Sequence, residues 1–200
     1  VDARISIRPA DINPPHHLVI SAYPEQYEST VTTKGGMDVL IRPIKPEDGP
    51  LLLDLFEKMS PDSRYQRFFT PKQRMSGDML VRLTQIDYDR QIGLVAIGRD
   101  NGKDKMLGVA RVIIGPDQRN AEFSVAVGDP WQGKGIGRTL LERCLEAGRD
   151  YGIGTVHGYV LSENRQMLNL GRELGFQAEL DDGTKTFHLS IDLSKLPEKK

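Results

Sequence analysis

The chain has one cysteine, Cys144, in 200 residues, which excludes an internal disulfide and any thiolate-rich metal cluster. Its four histidines, at positions 16, 17, 157 and 188, are too scattered along the chain to suggest a zinc site. No apolar run approaches the ~18 residues of a membrane span, and no basic-then-apolar leader opens the sequence. Neither sign of charge is in excess: 27 basic and 28 acidic residues leave a net charge of −1, so there is no broad electrostatic footprint for nucleic acid. What is present is a hydrophobic content of 38%, enough for a packed core. The expectation is a soluble, cytoplasmic globular protein of one domain, or one domain plus a fragment.

The opening residues pattern as a strand: Val1, Ala3, Ile5 and Ile7 alternate with Asp2, Arg4, Ser6 and Arg8. A native first strand and the last strand of an upstream domain both fit; the second is preferred, because no hairpin partner follows closely. Residues 9–36 read as a connector, punctuated by Pro9, Pro14, Pro15 and Pro24 and loosened by Thr30, Thr32, Thr33, Gly35 and Gly36. His16 and His17 sit beside two prolines, as solvated loop residues do. The expected boundaries are therefore a domain remnant and linker over 1–36, a packed domain over 37–196 and a tail over 197–200.

Within that domain, Val39, Ile41 and Ile44 predict a strand, and Pro46-Glu47-Asp48 a helix start with an apolar stripe of Leu51, Leu52, Leu55, Phe56 and Met59. Ser60-Pro61-Asp62 opens a second helix, and Met79, Leu80, Leu83 and Ile86 suggest a third. Residues 92–99 and 106–114 form a hairpin around Asn101-Gly102, followed by a strand over 121–127. A strong helix covers 136–151, with Ile136, Leu140, Leu141, Cys144, Leu145 and Gly148 on one face. A strand at 155–161, a helix from Asn164 to Leu174 closed by Gly175, and a strand at 185–193 complete the order. This is an α/β (α+β) arrangement around a mixed sheet, not a doubly wound one.

The most informative segment runs from Val125 and Val127 through Gly128-Asp129-Pro130-Trp131-Gln132-Gly133-Lys134-Gly135-Ile136-Gly137-Arg138. A strand, a glycine-rich loop and a helix start place free backbone amides and a positive helix end together, an anion nest suited to a pyrophosphate. Lys134 and Arg138 can add charge. As a P-loop it fails, because Gly135 stands where Ser or Thr should hold magnesium; as a dinucleotide fingerprint its glycine spacing is wrong. A glycine-rich helix entry without ligand remains the plain alternative. The pattern Gln132-x-x-Gly135-x-Gly137 resembles motif A of the GCN5-related N-acetyltransferases (GNAT). The flanks agree over about 155 residues: Asp38–Phe56 is similar to the family's first strand and helix, and Asn164-Arg165-Gln166-Met167 with Leu174-Gly175-Phe176 to its motif B.

The resemblance implies a GNAT fold, a mixed, mostly antiparallel sheet with a splayed central V flanked by helices. It also implies acetyl-CoA as co-substrate, no metal, and pantetheine pairing with the free edge at Val125 and Val127 by strand addition. Gln132, Gly133, Lys134, Gly135, Ile136, Gly137 and Arg138 would hold the pyrophosphate, and Asn164 the pantetheine arm, although Asn164 also fits a simple helix cap. Acetyl transfer needs a neutral amine, and Glu122 is the candidate general base; an apolar setting would raise its pKa, whereas a solvent-facing strand glutamate is the plain alternative. The tyrosine that often protonates the leaving thiolate has no counterpart, because Gly171 occupies its position. Cys144 reads as a packed thiol.

Pro61-x-Ser63-Arg64-Tyr65-x-Arg67-Phe68-Phe69 resembles a stretch of the protein lysine acetyltransferase branch, often fused behind an ADP-forming acyl-CoA synthetase-like region. That implies a protein lysine as acceptor, notably on AMP-forming acetyl-CoA or acyl-CoA synthetases. A small-molecule amine N-acetyltransferase and a non-catalytic acyl-CoA-sensing module are the alternatives. Tyr65, Phe68 and Phe69 read more simply as core, and Arg64 and Arg67 as internal ion pairs or an acidic-partner contact.

Overall fold

The structure is a computed structural model that describes residues 22–33, 35–70, 74–100 and 102–196. The alternating segment at 1–8 and the histidines at 16 and 17 lie outside the described residues. Eight strands form one sheet: β1 (Ser29–Thr32), β2 (Asp38–Pro43), β3 (Gln91–Asp100), β4 (Lys103–Ile114), β5 (Asn120–Val127), β6 (Thr155–Leu161), β7 (Gln177–Asp181) and β8 (Thr186–Asp192). They lie in the order β1-β2-β3-β4-β5-β6-β8-β7, with every pairing antiparallel except β5 with β6. Helices α1 (Gly49–Lys58), α2 (Pro61–Phe68) and α3 (Gly77–Thr84) pack on one face, and α4 (Ile136–Asp150) and α5 (Arg165–Glu173) on the other.

The two cores follow from strand alternation. Leu94, Ala96, Ala110, Val112, Ala121 and Phe123 point to the α4 face, where they meet Leu140, Leu141, Cys144 and Leu145. Val95, Ile97 and Val109 point the other way, onto Leu52 and Leu55 of α1. The long hairpin β3–β4 is buried on both faces, so its strands are apolar runs and not alternating ones. Burial pushes the Cys144 thiol up to about 12, as suits a packing residue.

Two strands depart from expectation. Ser29–Thr32 does not belong to a loose connector, because it pairs with β2 in full register and is preceded by a turn of 3-10 helix at Glu25–Tyr27. The Tyr27 hydroxyl donates to Asp150 at 3.2 Å, and the Tyr23 ring meets Tyr88 edge-on at 6.2 Å. The sheet therefore begins before Met37. The second is β7, whose five residues are all exposed and so carry no burial pattern to read.

Gly171 is buried where α5 crosses β8: a Cβ there would lie 2.8 Å from Leu189 Cδ1. A larger side chain at this position would require the Leu189 side chain to move.

Candidate active site

β5 and β6 are joined by only three residue pairs, Asn120–Thr155, Ala121–Val156 and Glu122–His157. Beyond Glu122 they part, while β5 stays paired to β4 as far as Val127. Residues 123–127 therefore have a strand on one side only. Into this V opens a cleft of about 1000 Å³. Val125, Val127, Gln132, Gly133, Gly135, Gly137, Arg138 and Asn164 all line it, as does Glu122 at its inner end.

The outer end is the glycine loop. Gly133 and Gly135 have φ of +72° and +89°, a backbone region that L side chains rarely adopt, and nothing lies within 4 Å of a Cβ at either. Gly135 is the N-cap of α4 and makes no side-chain cap, whereas Ser60, Ser76 and Asn164 cap α2, α3 and α5 with side-chain oxygens. The first amides of α4, a helix of 15 residues, thus lack the side-chain acceptor given to those three helices. A Cβ at Gly137 would come within 3.3 Å of Val127 Cγ2, so this glycine lets α4 sit close against β5. Free amides, a positive helix end and absent side chains are the donor set a pyrophosphate needs.

Not every expected residue turns its side chain to the cleft. Ile136 is 3% exposed and sits in the core, because the first position of the α4 apolar stripe points inward; only its backbone faces the loop. Lys134 lies over the Trp131 ring, with Nζ 4.5 Å from the centroid, and does not line the cleft. Arg138 lines the cleft but is ion-paired to Glu173 at 2.6 Å and Glu142 at 3.0 Å, exposed pairs that are readily exchanged. Gln132 braces the loop, its Nε2 donating to the Val127 carbonyl and to Ser63 Oγ, each at 3.1 Å. Asn164 caps α5 through Met167 N–H at 3.0 Å and also lines the cleft.

Glu122 differs from the buried setting anticipated for a base: it is exposed. It faces the α1–α3 side of the sheet with Ser124, at the last position where β5 and β6 are joined.

Two residues of quoted segments, Asp129 and Arg67, take places at the site that the sequence did not assign them. Asp129, in the loop, accepts from Ser60 N–H at 2.9 Å, Ser60 Oγ at 2.7 Å and Ser63 Oγ at 2.8 Å. Burial opposes its charge, but these hydrogen bonds outweigh burial and hold the carboxyl below the usual carboxylate range. It ties the start of α2 to the start of the glycine loop. Arg67, on α2, lines the cleft and donates to Ser124 Oγ at 3.0 Å. Of the aromatic residues beside it, Phe68 packs edge-on against Phe56 at 4.8 Å. Tyr65 and Phe69 are 38% and 40% exposed, not core. Among the described residues no group of side chains could hold a metal ion. No helix among the described residues is long and apolar enough to cross a membrane.

A split parallel pair, a glycine loop and an uncapped helix thus meet at one cleft. The model of the acetyltransferase (GNAT) family matches residues 53–176, and the chain belongs to that family. It is an acyl-CoA-dependent N-acetyltransferase with the GNAT fold. The chain is 29% identical over 155 residues to acetyltransferase PA5475 of Pseudomonas aeruginosa, covering 76% of this chain and 83% of that protein. Among solved structures, the GNAT domain of S. lividans PAT superposes with a TM-score of 0.78 at 28% identity, covering 86% of this chain and 99% of that one. The acetyltransferase yncA from Salmonella typhimurium, solved with acetyl-CoA, shares the fold at a TM-score of 0.62 and 19% identity, covering 80% and 96%.

Proposed function

We propose that this protein transfers an acetyl group from acetyl-CoA to the Nε of a lysine on a protein substrate. The observation that carries the reading is the parting of β5 and β6 immediately after Glu122, with the uncapped start of α4 at the other end of the same cleft. A pyrophosphate held by the loop amides at Gly133, Gly135 and Gly137 directs a pantetheine arm inward along the unpaired edge at Val125 and Val127. The thioester then reaches the V near Ser124, beside Glu122. An incoming lysine ammonium must lose a proton, since a free lysine titrates near 10.4, and the exposed Glu122 carboxylate accepts it directly or through water. The neutral amine attacks the thioester carbonyl, and thiolate leaves.

Similarity to a protein acetyltransferase domain and to the Pro61–Phe69 stretch of that branch supports a protein lysine as acceptor, with an AMP-forming acyl-CoA synthetase as the substrate class. Acetylation removes the charge of the target lysine and so silences a catalytic one. The test is mass spectrometry of acyl-CoA synthetases incubated with this protein and acetyl-CoA. A single acetylated lysine on one of them is the expected result. Absence of lysine acetylation on all of them, with turnover of free amines, would transfer the assignment to a small-molecule N-acetyltransferase.

A further inference from the structure

Gly171 leaves the departing thiolate without the helix tyrosine that could protonate it, and the cleft holds a group suited to that charge. Arg67 enters from α2, whose first turn is bound through Ser60 and Ser63 to Asp129 of the cofactor loop. Its guanidinium donates to Ser124 Oγ, two residues beyond the last β5–β6 pair. Directly across β4–β5, the Cα partner of Ser124 is Arg111, only 3% exposed. Arg111 Nη2 donates to the Leu83 carbonyl, and its Nη1 is buried with no partner. Neither arginine forms an ion pair among the described residues. Burial pushes Arg111 down to about 10, and the charge of Arg67 adds to that; burial also lowers Arg67, against the pull of Glu122. Two guanidiniums thus lie close together at one corner, Arg67 lining the cleft and the buried Arg111 behind it, with Glu122 the carboxylate opposing the loss of Arg67's charge. Concentrated positive charge of this kind is costly at rest and is offset when negative charge arrives.

We propose that Arg67 is a catalytic residue whose guanidinium receives the negative charge gathering on sulfur as the thioester breaks, in place of a protonating acid. The inference rests on reading the V as the acetyl-CoA site. In the step, the amine nitrogen forms its bond to the acyl carbon and the carbon–sulfur bond breaks. The electron pair of that bond goes to sulfur, the amine's proton to Glu122 or its water, and Arg67 stays protonated throughout. Arg111 is a positioning residue behind Ser124, keeping the corner positive.

The test measures two quantities on the full chain. Arg67→Met should lower kcat about 10²-fold with the KM for acetyl-CoA unchanged, as for loss of one preorganised donor. In the binary complex with free coenzyme A, the ultraviolet absorbance of the thiolate should titrate at least about one pH unit lower in the wild-type protein than in Arg67→Met. Arg67→Lys, which keeps the charge, should retain most of the shift, and Arg64→Met, on the same helix outside the cleft, should leave both quantities as they are. Should Arg67→Met unfold, Arg67→Gln, which removes the charge but keeps a polar side chain beside Ser124, provides the same two readouts. An unchanged thiol titration, or a loss confined to the KM of the acceptor, would overturn the proposal. Failure of coenzyme A to bind the wild-type protein would instead remove the reading of the cleft.

Discussion

The two halves of the sheet are built differently. The β2–β5 half centres on the long strands β3 and β4, which are covered on both faces, with Leu94, Val95, Leu107 and Ala110 fully buried. The β6–β8–β7 half is covered on the face where Gly158 and Val160 meet Phe123 and the core. On its other face His157, Tyr159 and His188 stack on one another at 5.5 and 5.1 Å, and Tyr159 is 52% exposed. In the proposed reading the first half mounts the glycine loop and Glu122, and the second offers an exposed wall to an acceptor. Three residue pairs join them, so the seam is the least-paired part of the sheet, and the proposed chemistry sits beside it.

Breaking the mount should have the largest effect. Gly135→Asp puts a side chain on a φ of +89° and a negative charge at the start of α4; acetyl-CoA binding should be abolished, read by calorimetry. Glu122→Gln at the seam should cut kcat by ~10²-fold or more with acetyl-CoA affinity spared; unchanged turnover would remove Glu122 as base. Gly158→Val attacks the seam mechanically, since a Cβ there would lie 2.7 Å from the Phe123 ring; we expect a loss of about 1–3 kcal/mol in denaturant unfolding. Asp129→Asn should cost about 1–2 kcal/mol at neutral pH. The sign follows from its lowered carboxyl: the native state prefers the carboxylate, so the contribution is whole above the ordinary value near 3.9 and is lost as pH falls through the folded value. The variant and the wild type should therefore converge in acid. Leu180→Lys, on the exposed strand β7, should change stability by no more than about 0.5 kcal/mol.

The same division governs what could be read in the sequence. The mounted half was legible because burial imposes pattern: the apolar stripe of α4, the runs of β3 and β4, and the glycines that the loop geometry requires. Asn164 was legible as a cap because a side-chain oxygen ahead of a helix has a local physical role. β7 was not, since five exposed residues record no face. β1 was hidden by threonines that suit a loop and an edge strand equally. Arg67 and Asp129 escaped because their roles depend on α2 and the loop, far apart in sequence, meeting at hydrogen-bond distance. Glu122 could be placed on its strand, but its exposure depends on where β6 turns away, which no local pattern encodes.

The one-sided stretch of β5 has a consequence for the protein in solution. An unpaired strand edge ordinarily invites a second polypeptide to add itself, the first step toward aggregation. Here that edge lies in the interior of the sheet, between walls that diverge from a joined apex. A thin, extended ligand can follow it to the apex, whereas a strand of another protein, with strands and helices of its own, meets β6 and α5 first. In the proposed reading, the same divergence that admits the arm of a coenzyme acts as a size filter for backbone hydrogen bonding.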